Sequence, residues 1–168
     1  MILPLRALTS TIETKVRQAK PSDAPFIINC NSALALETER KRLAPGRVTA
    51  GVRALLADPA RGVYFIAEVG GELAGQLLIT YEWSDWRNGV FWWIQSVYVS
   101  QPYRARGIFT ALFQHVHELA AQRNDVCGLR LYVEGQNTRA QRTYERLGMK
   151  PTTYDVFELD FVLAPQSH

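Results

Sequence analysis

Residues 90–100, VFWWIQSVYVS, carry apolar side chains on both alternating sets of positions. A strand written this way belongs in the middle of a sheet, covered on both faces. The chain then turns through PYRARG into residues whose apolar positions repeat at helical spacing: Ile108, Phe109, Leu112, Phe113, Val116, Leu119 and Ala120. That helix runs to about Arg123, and CGLRLYVEG after it reads as another strand.

The flanking segments extend the pattern. GVYFIAEV and ELAGQLLITYEW surround Gly70-Gly71, a two-residue hairpin turn, and SDWRNG is the turn before the central strand. Upstream, KVRQAK alternates as a short strand. PSDAPFIINCNSALALE opens on Ser22 as a helix-start signal and stays apolar through Phe26, Ile27 and Leu34. ETERKRLAPGR is a charged connector, and a second helix is expected from about Val48 to Ala57, stopped by Asp58-Pro59. Downstream, NTRAQRTYERLG is a helix with Asn137 as N-cap and Gly148 as its terminal glycine. MKPTTYDVFELDFVL is expected to be a last strand. The order is two helices, a β meander, then β-α-β-α-β: one α/β domain with a mixed sheet over residues 1–168, preceded by a loose arm at 1–13.

Composition narrows the class. With 168 residues, 47% hydrophobic and 21% charged, the chain is of ordinary globular type, and a net charge of +3 is too slight to argue for nucleic acid. Cys30 and Cys127 belong to no metal or redox spacing and suit buried thiols in a cytoplasmic protein. MILPLRALTS is a poor signal peptide, and no apolar run approaches the roughly 20 residues of a membrane span. His115 and His117 lie two apart on a helix and cannot share a face, so no metal site is expected.

The stretch RARG before the long helix is the first chemical clue. A helix start after a strand offers free backbone N–H groups and the positive end of the helix dipole, and Gly107 lets an anion approach closely. Arg104 and Arg106 add charge at the rim. The competing reading is a surface turn with two solvated arginines. Neither GxxxxGK[ST] nor GxGxxG is present. Phe109 shares the apolar face with Leu112, Phe113 and Val116, so its ring should point into the core while its N–H stays available.

Together, WIQSVYVSQPYRARGIFTAL, LRLYVEGQN and AQRTYERLGM resemble the GCN5-related N-acetyltransferases (GNAT), in matching order from about Val16 to Phe161. The family's phosphate motif, Arg/Gln-x-x-Gly-x-Gly/Ala, is met by Arg104 and Gly107 but departs at Phe109. Asn137, Ala140, Tyr144 and Leu147-Gly148 match its later motif. TYEWSDWRNGVFWWIQSVYV is similar to the corresponding part of diamine and polyamine acetyltransferases. The resemblance implies a mostly antiparallel sheet flanked by helices, with acetyl-CoA held where two parallel strands, SVYV and LRLYV, splay apart. Val97, Tyr98 and Val99 would line the pantetheine arm, with the backbones of Val97 and Val99 pairing to it. The amides of Arg106, Gly107, Ile108, Phe109 and Thr110 would hold the pyrophosphate, and Asn137, Ala140 and Tyr144 would lie near the thioester. A homodimer is suggested on the same ground.

The chemistry calls for an uncharged amine, a proton donor for the departing thiolate and an oxyanion donor. The resemblance casts Tyr144 as the donor, against a plain core tyrosine, and the Val97 N–H as the oxyanion group. Related polyamine enzymes carry a glutamate where this chain has Gln95, which can orient a water but cannot accept the amine's proton. Glu37, Glu39, Glu82 and Glu134 are candidate carboxylates, Glu134 foremost as a base; each could equally be a solvated charge. Tyr81, Trp83, Trp86, Trp92 and Trp93 crowd one hairpin. As a cage beside Glu82 they would suit a cationic amine; otherwise they are core. The expected activity is acetyl transfer from acetyl-CoA to a small polyamine-like or amino-acid-like primary amine. The alternatives are a catalytically silent CoA-binding module and a protein N-terminal or lysine acetyltransferase, which would need an open groove.

Overall fold

The computed structural model describes residues 13–162. The expected arm at 1–13 lies almost wholly outside them, as does His168. The chain divides into two compact units between Tyr132 and Val133.

The first unit is a five-stranded sheet with three helices. Strands β1 (Thr14–Gln18), β2 (Val63–Val69), β3 (Glu72–Ser84), β4 (Gly89–Val99) and β5 (Val126–Leu131) lie side by side in chain order. The first four run antiparallel, and β4 pairs with β5 in parallel. Helices α1 (Ala24–Glu39) and α2 (Pro45–Ala57) precede β2, and α3 (Ile108–Ala121) joins β4 to β5. Gly70 and Gly71 both take positive φ (60° and 86°), as a two-residue hairpin turn requires.

Each sheet face is closed by helices. On one side, Ala24 and Ile27 of α1 and Val52 of α2 pack on Tyr64, Ile66 and Leu78. On the other, α3 buries Ile108, Leu112, Phe113, Val116 and Ala120. Phe109 is only half-buried and tilts against Phe113, so it flanks the apolar stripe where the spacing put it inside. The deepest strand is β3, whose residues 74–79 are all buried; β4, expected to be central, is half-covered over most of its length.

The start of α1 differs in detail from the sequence reading. Asp23, not Ser22, organises the turn. Its carboxylate accepts the Lys20 N–H at 2.6 Å and two guanidinium N–H groups of Arg17 at 2.7 and 3.0 Å. Arg17 also reaches Glu68 of β2 at 2.5 Å. A buried carboxylate is stable only when so paired. Arg17 therefore fastens β1 to both β2 and the helix start.

The second unit holds α4 (Thr138–Arg146), capped as expected by Asn137, whose side chain accepts the Ala140 N–H at 3.1 Å. Gly148 closes it with φ 88°. The expected last strand is not formed: residues 149–162 contain no strand, and Val156, Phe157, Leu159 and Phe161 are exposed. Alternation gives a strand its faces, but ladder hydrogen bonds make it a strand, and this segment has none.

The Arg17 junction generates a stability prediction. Removing one partner of a buried ion pair strands the other, so Arg17→Met should cost about 3 kcal/mol in urea unfolding. Its hydrogen bond to Arg17 holds the Asp23 carboxyl below the usual aspartate range. The stabilisation is thus fully present above about pH 4 and is lost as pH falls through the lower folded-state value. Asp23→Asn should remove that acid-side dependence; an unchanged unfolding profile would contradict it.

Candidate functional site

In the first unit, β4 and β5 part company midway. Their ladder runs from Val90↔Val126 to Ile94↔Leu131 and stops, while residues 95–99 of β4 continue without a β5 partner. β5 itself ends at Leu131, shorter than the run to residue 135 expected from sequence, and Tyr132 and Val133 beyond it are exposed.

The freed part of β4 is re-aimed by a bulge. Gln76 pairs with Tyr98 and Leu78 with Gln95, so one residue of β3 faces two of β4, Ser96 and Val97. Ser96 sits at φ 47°, a left-handed conformation uncommon for a residue with a side chain. The Ser100 N–H donates to Ala74 O on β3 at 2.9 Å. Strand alternation therefore turns the N–H groups of Val99 and Val97 away from β3, toward the side on which β5 has ended. That is an unfilled strand position, the shape expected to take a pantetheine arm.

Just beyond lies an amide-rich helix mouth. Gly107, at φ 77°, is the N-cap of α3, and the first helical bond runs from Ala111 N–H to Gly107 O at 2.9 Å. The N–H groups of Ile108 and Thr110 precede that bond, at the end of the helix where backbone donors face outward. A Cβ added at Gly107 would meet nothing within 4 Å, so the approach is open. The side chain of Ile108 is core; only its backbone faces the mouth. Arg106 is exposed and lies over Tyr103, 5.8 Å from its ring centre. Backbone dipoles of this kind can hold an anion, the chemistry a pyrophosphate would need.

Arg104 has a second engagement. Its Nη2 bonds Glu37 at 2.7 Å and its Nε donates to Val99 O at 2.9 Å, while Tyr98 donates its hydroxyl to Glu37 at 2.8 Å. These hydrogen bonds from Tyr98 and Arg104 hold the Glu37 carboxyl below its ordinary range. Burial, then the Glu37 bond, pushes the Tyr98 phenol upward. The cofactor candidates Tyr98 and Arg104 and the substrate candidate Glu37 thus form one cluster. Glu39 stands apart, paired with Lys41 at 2.8 Å.

The aromatic hairpin is divided. Thr80, Glu82, Phe91, Trp93, Gln95 and Arg130 share one sheet face by register, and Tyr81, Trp83 and Trp92 share the other. Tyr81 and Trp92 meet edge to face at 6.4 Å, Trp83 is 61% exposed, and Trp86 in the turn is 84% exposed. Tyr81 and Trp86 therefore do not join Glu82 in one cage. Glu82 instead accepts the Trp93 indole N–H and the Arg130 guanidinium, the latter at 2.9 Å. Arg130 lies 3.7 Å over the Phe91 ring, and Trp93 stacks on Tyr132 at 4.3 Å. Gln95, on the same face, donates to Thr80 Oγ1 at 2.6 Å. Sequence reasoning missed Arg130 and Thr80. Their signal was register, which becomes visible only once strands are paired.

In the second unit, Asn137 and Ala140 form the cap of α4 and Tyr144 follows one turn later. Burial raises the Tyr144 phenol above its ordinary value, which keeps it protonated at neutral pH. Glu134 has an exposed side chain in the turn before α4, where its carbonyl accepts the Asn137 N–H at 2.9 Å.

Comparison with known proteins identifies the family and the fold. The model of the acetyltransferase (GNAT) family matches residues 32–149. A possible acetyltransferase from Clostridium difficile 630 is 42% identical, with 89% of this chain and 98% of that chain covered at a TM-score of 0.82. A predicted acetyltransferase with acetyl-CoA from Clostridium acetobutylicum is 18% identical, covering 88% and 96% at 0.72. The ribosomal-protein-alanine N-acetyltransferase from Brucella melitensis biovar Abortus 2308 is also 18% identical, covering 89% and 100% at 0.72. These two are likenesses of fold. No curated protein matches the chain. The span of the family match and the 42% identical relative are decisive, and this chain belongs to the acetyltransferase (GNAT) family as an acyl-CoA-dependent N-acetyltransferase that draws its acetyl group from acetyl-CoA.

Proposed function

We propose that the acceptor is a small primary amine, polyamine-like or amino-acid-like, which attacks the thioester directly in a ternary complex. The carrying observation is that the ladder stops at Ile94↔Leu131 while Tyr98, on the unpaired continuation of β4, holds the carboxylate of Glu37. It supplies a backbone seat for an acyl carrier, and a negative group at the same end of β4 to attract an ammonium.

In this reading the amine nitrogen bonds the acetyl carbon, the carbon–sulfur bond breaks, and a proton passes from the amine side to the sulfur side. The Val97 N–H stabilises the developing oxyanion. Tyr144, kept protonated by its raised pKa, protonates the departing thiolate. Gln95 orients a water with its Thr80-anchored amide, and the solvated Glu134 collects the amine's proton. Val97, Val99 and the amides near Gly107 hold the cofactor, with Arg104 and Arg106 at the rim; Asn137 and Ala140 shape the start of α4. The thiols of Cys30, pushed up to about 12 by burial, and Cys127 form no disulfide, which suits the cytoplasm. Among the described residues, no helix is long and apolar enough to cross a membrane.

A polypeptide amino group is the second reading. It is favoured by the exposure of Trp83 and Trp86, which gives the hairpin an open apolar rim where a small cation would call for a closed cage. A thiol-release assay comparing diamines, amino acids and short peptides separates the two. Faster turnover of peptides than of every small amine would overturn the first.

Two further outcomes follow. Tyr144→Phe should lower kcat about 100-fold while leaving the acetyl-CoA KM within about threefold, and an unchanged kcat would remove Tyr144 from the chemistry. The Arg104–Glu37 pair is exposed at both ends, so the competition it offers an incoming phosphate is small. Glu37→Gln should therefore tighten acetyl-CoA binding by only about two- to fivefold, while raising the amine KM. Opposite movements of the two constants support the proposed placement; parallel movements would contradict it.

A further inference from the structure

Gln76 lies in the middle of β3 and is fully buried, alone among the uncharged polar side chains of the described core. Its amide nitrogen donates twice, to Asn31 Oδ1 of α1 at 2.7 Å and to the carbonyl of Ser96 at 3.1 Å. Asn31 in turn donates to the hydroxyl of Tyr64 on β2 at 3.0 Å. A chain of side chains from β2 and α1 thus leads through Gln76 of β3 to one residue of β4. That residue sits at φ 47°, in the bulge, immediately before Val97.

The direction of the amide follows from its neighbours. Reversing it would set Gln76 Oε1 against the Ser96 carbonyl, two acceptors face to face. With the nitrogen so committed, Oε1 has no hydrogen-bond partner, the one such buried side-chain atom among the described residues. An orphaned buried acceptor is a net liability. A leucine would fill the space without it, as Leu77 and Leu78 do beside it. A left-handed serine is likewise a liability. Two unfavourable features meeting at one hydrogen bond indicate that the bond is kept for what it holds.

We propose that Gln76 is a positioning residue for acetyl transfer: through the Ser96 carbonyl, and supported by Asn31 and Tyr64, it locks the β4 bulge so that the Val97 N–H faces the opening beside β5. The bulge inserts one residue between Gln95 and Tyr98, which reverses the direction of the backbone groups that follow. If the lock is lost, the strand can slip toward regular pairing with β3, and the Val97 N–H turns away from the reacting carbonyl. The inference rests on the proposed oxyanion role of Val97.

The test is Gln76→Leu, read by steady-state kinetics, by thermal unfolding and by the Val97 amide signal in a 15N-labelled sample. The expected result is a kcat lowered about 10- to 100-fold with a smaller change in acetyl-CoA KM, a displaced Val97 amide and undisplaced amides at Ile108 and Thr110. Asn31→Asp keeps an acceptor for the Gln76 amide and should hold near-native kcat, whereas Asn31→Ala should lose activity in the same sense as Gln76→Leu. A folded Gln76→Leu with native kcat and an unmoved Val97 amide overturns the proposal. So does a loss of activity that vanishes when rates are expressed per folded molecule. If Gln76→Leu does not fold, the same criteria apply to Asn31→Ala. Failure of the unmodified protein to turn over any amine would count against the proposed function instead, and the Val97 amide would still decide the lock.

Discussion

The N–H groups of Val97 and Val99 point toward a strand that is no longer there, because β4 and β5 exchange hydrogen bonds only as far as Ile94 and Leu131. Polar backbone in a sheet interior must be paired with chain, water or ligand. An extended carrier with amide groups of its own can complete such a gap as another strand would. The position of the gap in the chain matters equally. It opens where the crossover to α3 begins, so the unpaired strand and the amides after Gly107 are a few residues apart, as the proposed single cofactor seat requires.

The charges around this opening are arranged more economically than the sequence indicates. Arg104 is tied to Glu37 and to Val99 O, and Glu82 is tied to Arg130 and Trp93, so both carboxylates already have cationic partners. Either would have to exchange its cation for an incoming amine. Glu37 is the better placed for function because its pair is exposed and exchangeable, whereas the Glu82 pair is flanked by the rings of Phe91 and Trp93. Electrostatics at the mouth of α3 therefore depends on backbone dipoles first and side-chain charge second.

The elements with strong periodicity were legible in the sequence. Both hairpin strands, the Gly70-Gly71 turn, α3 and its glycine start, and α4 with its Asn137 cap stand where the residues put them. The failures share a cause, which is that they depend on partners far away in the chain. β5 reads as apolar to residue 133, but it ends where β4 stops pairing with it. Residues 149–162 alternate, yet alternation cannot supply a neighbour. Ser22 resembles a cap, while the carboxylate of Asp23 is drawn in by Arg17 from another strand. The aromatic hairpin looks like one cage until adjacent residues are sent to opposite faces. Gln76 has no sequence signature beyond a polar letter in GQLLIT, and its meaning emerges only with Asn31 and Ser96 around it.

The central claim is that the gap beside β4 and the mouth of α3 form one seat for acetyl-CoA. Amide hydrogen exchange with and without CoA tests it residue by residue. Bound CoA should slow exchange at Val97 and Val99 together with Ile108, Phe109 and Thr110. Saturating CoA that leaves Val97 and Val99 exchanging at their free rates would contradict it.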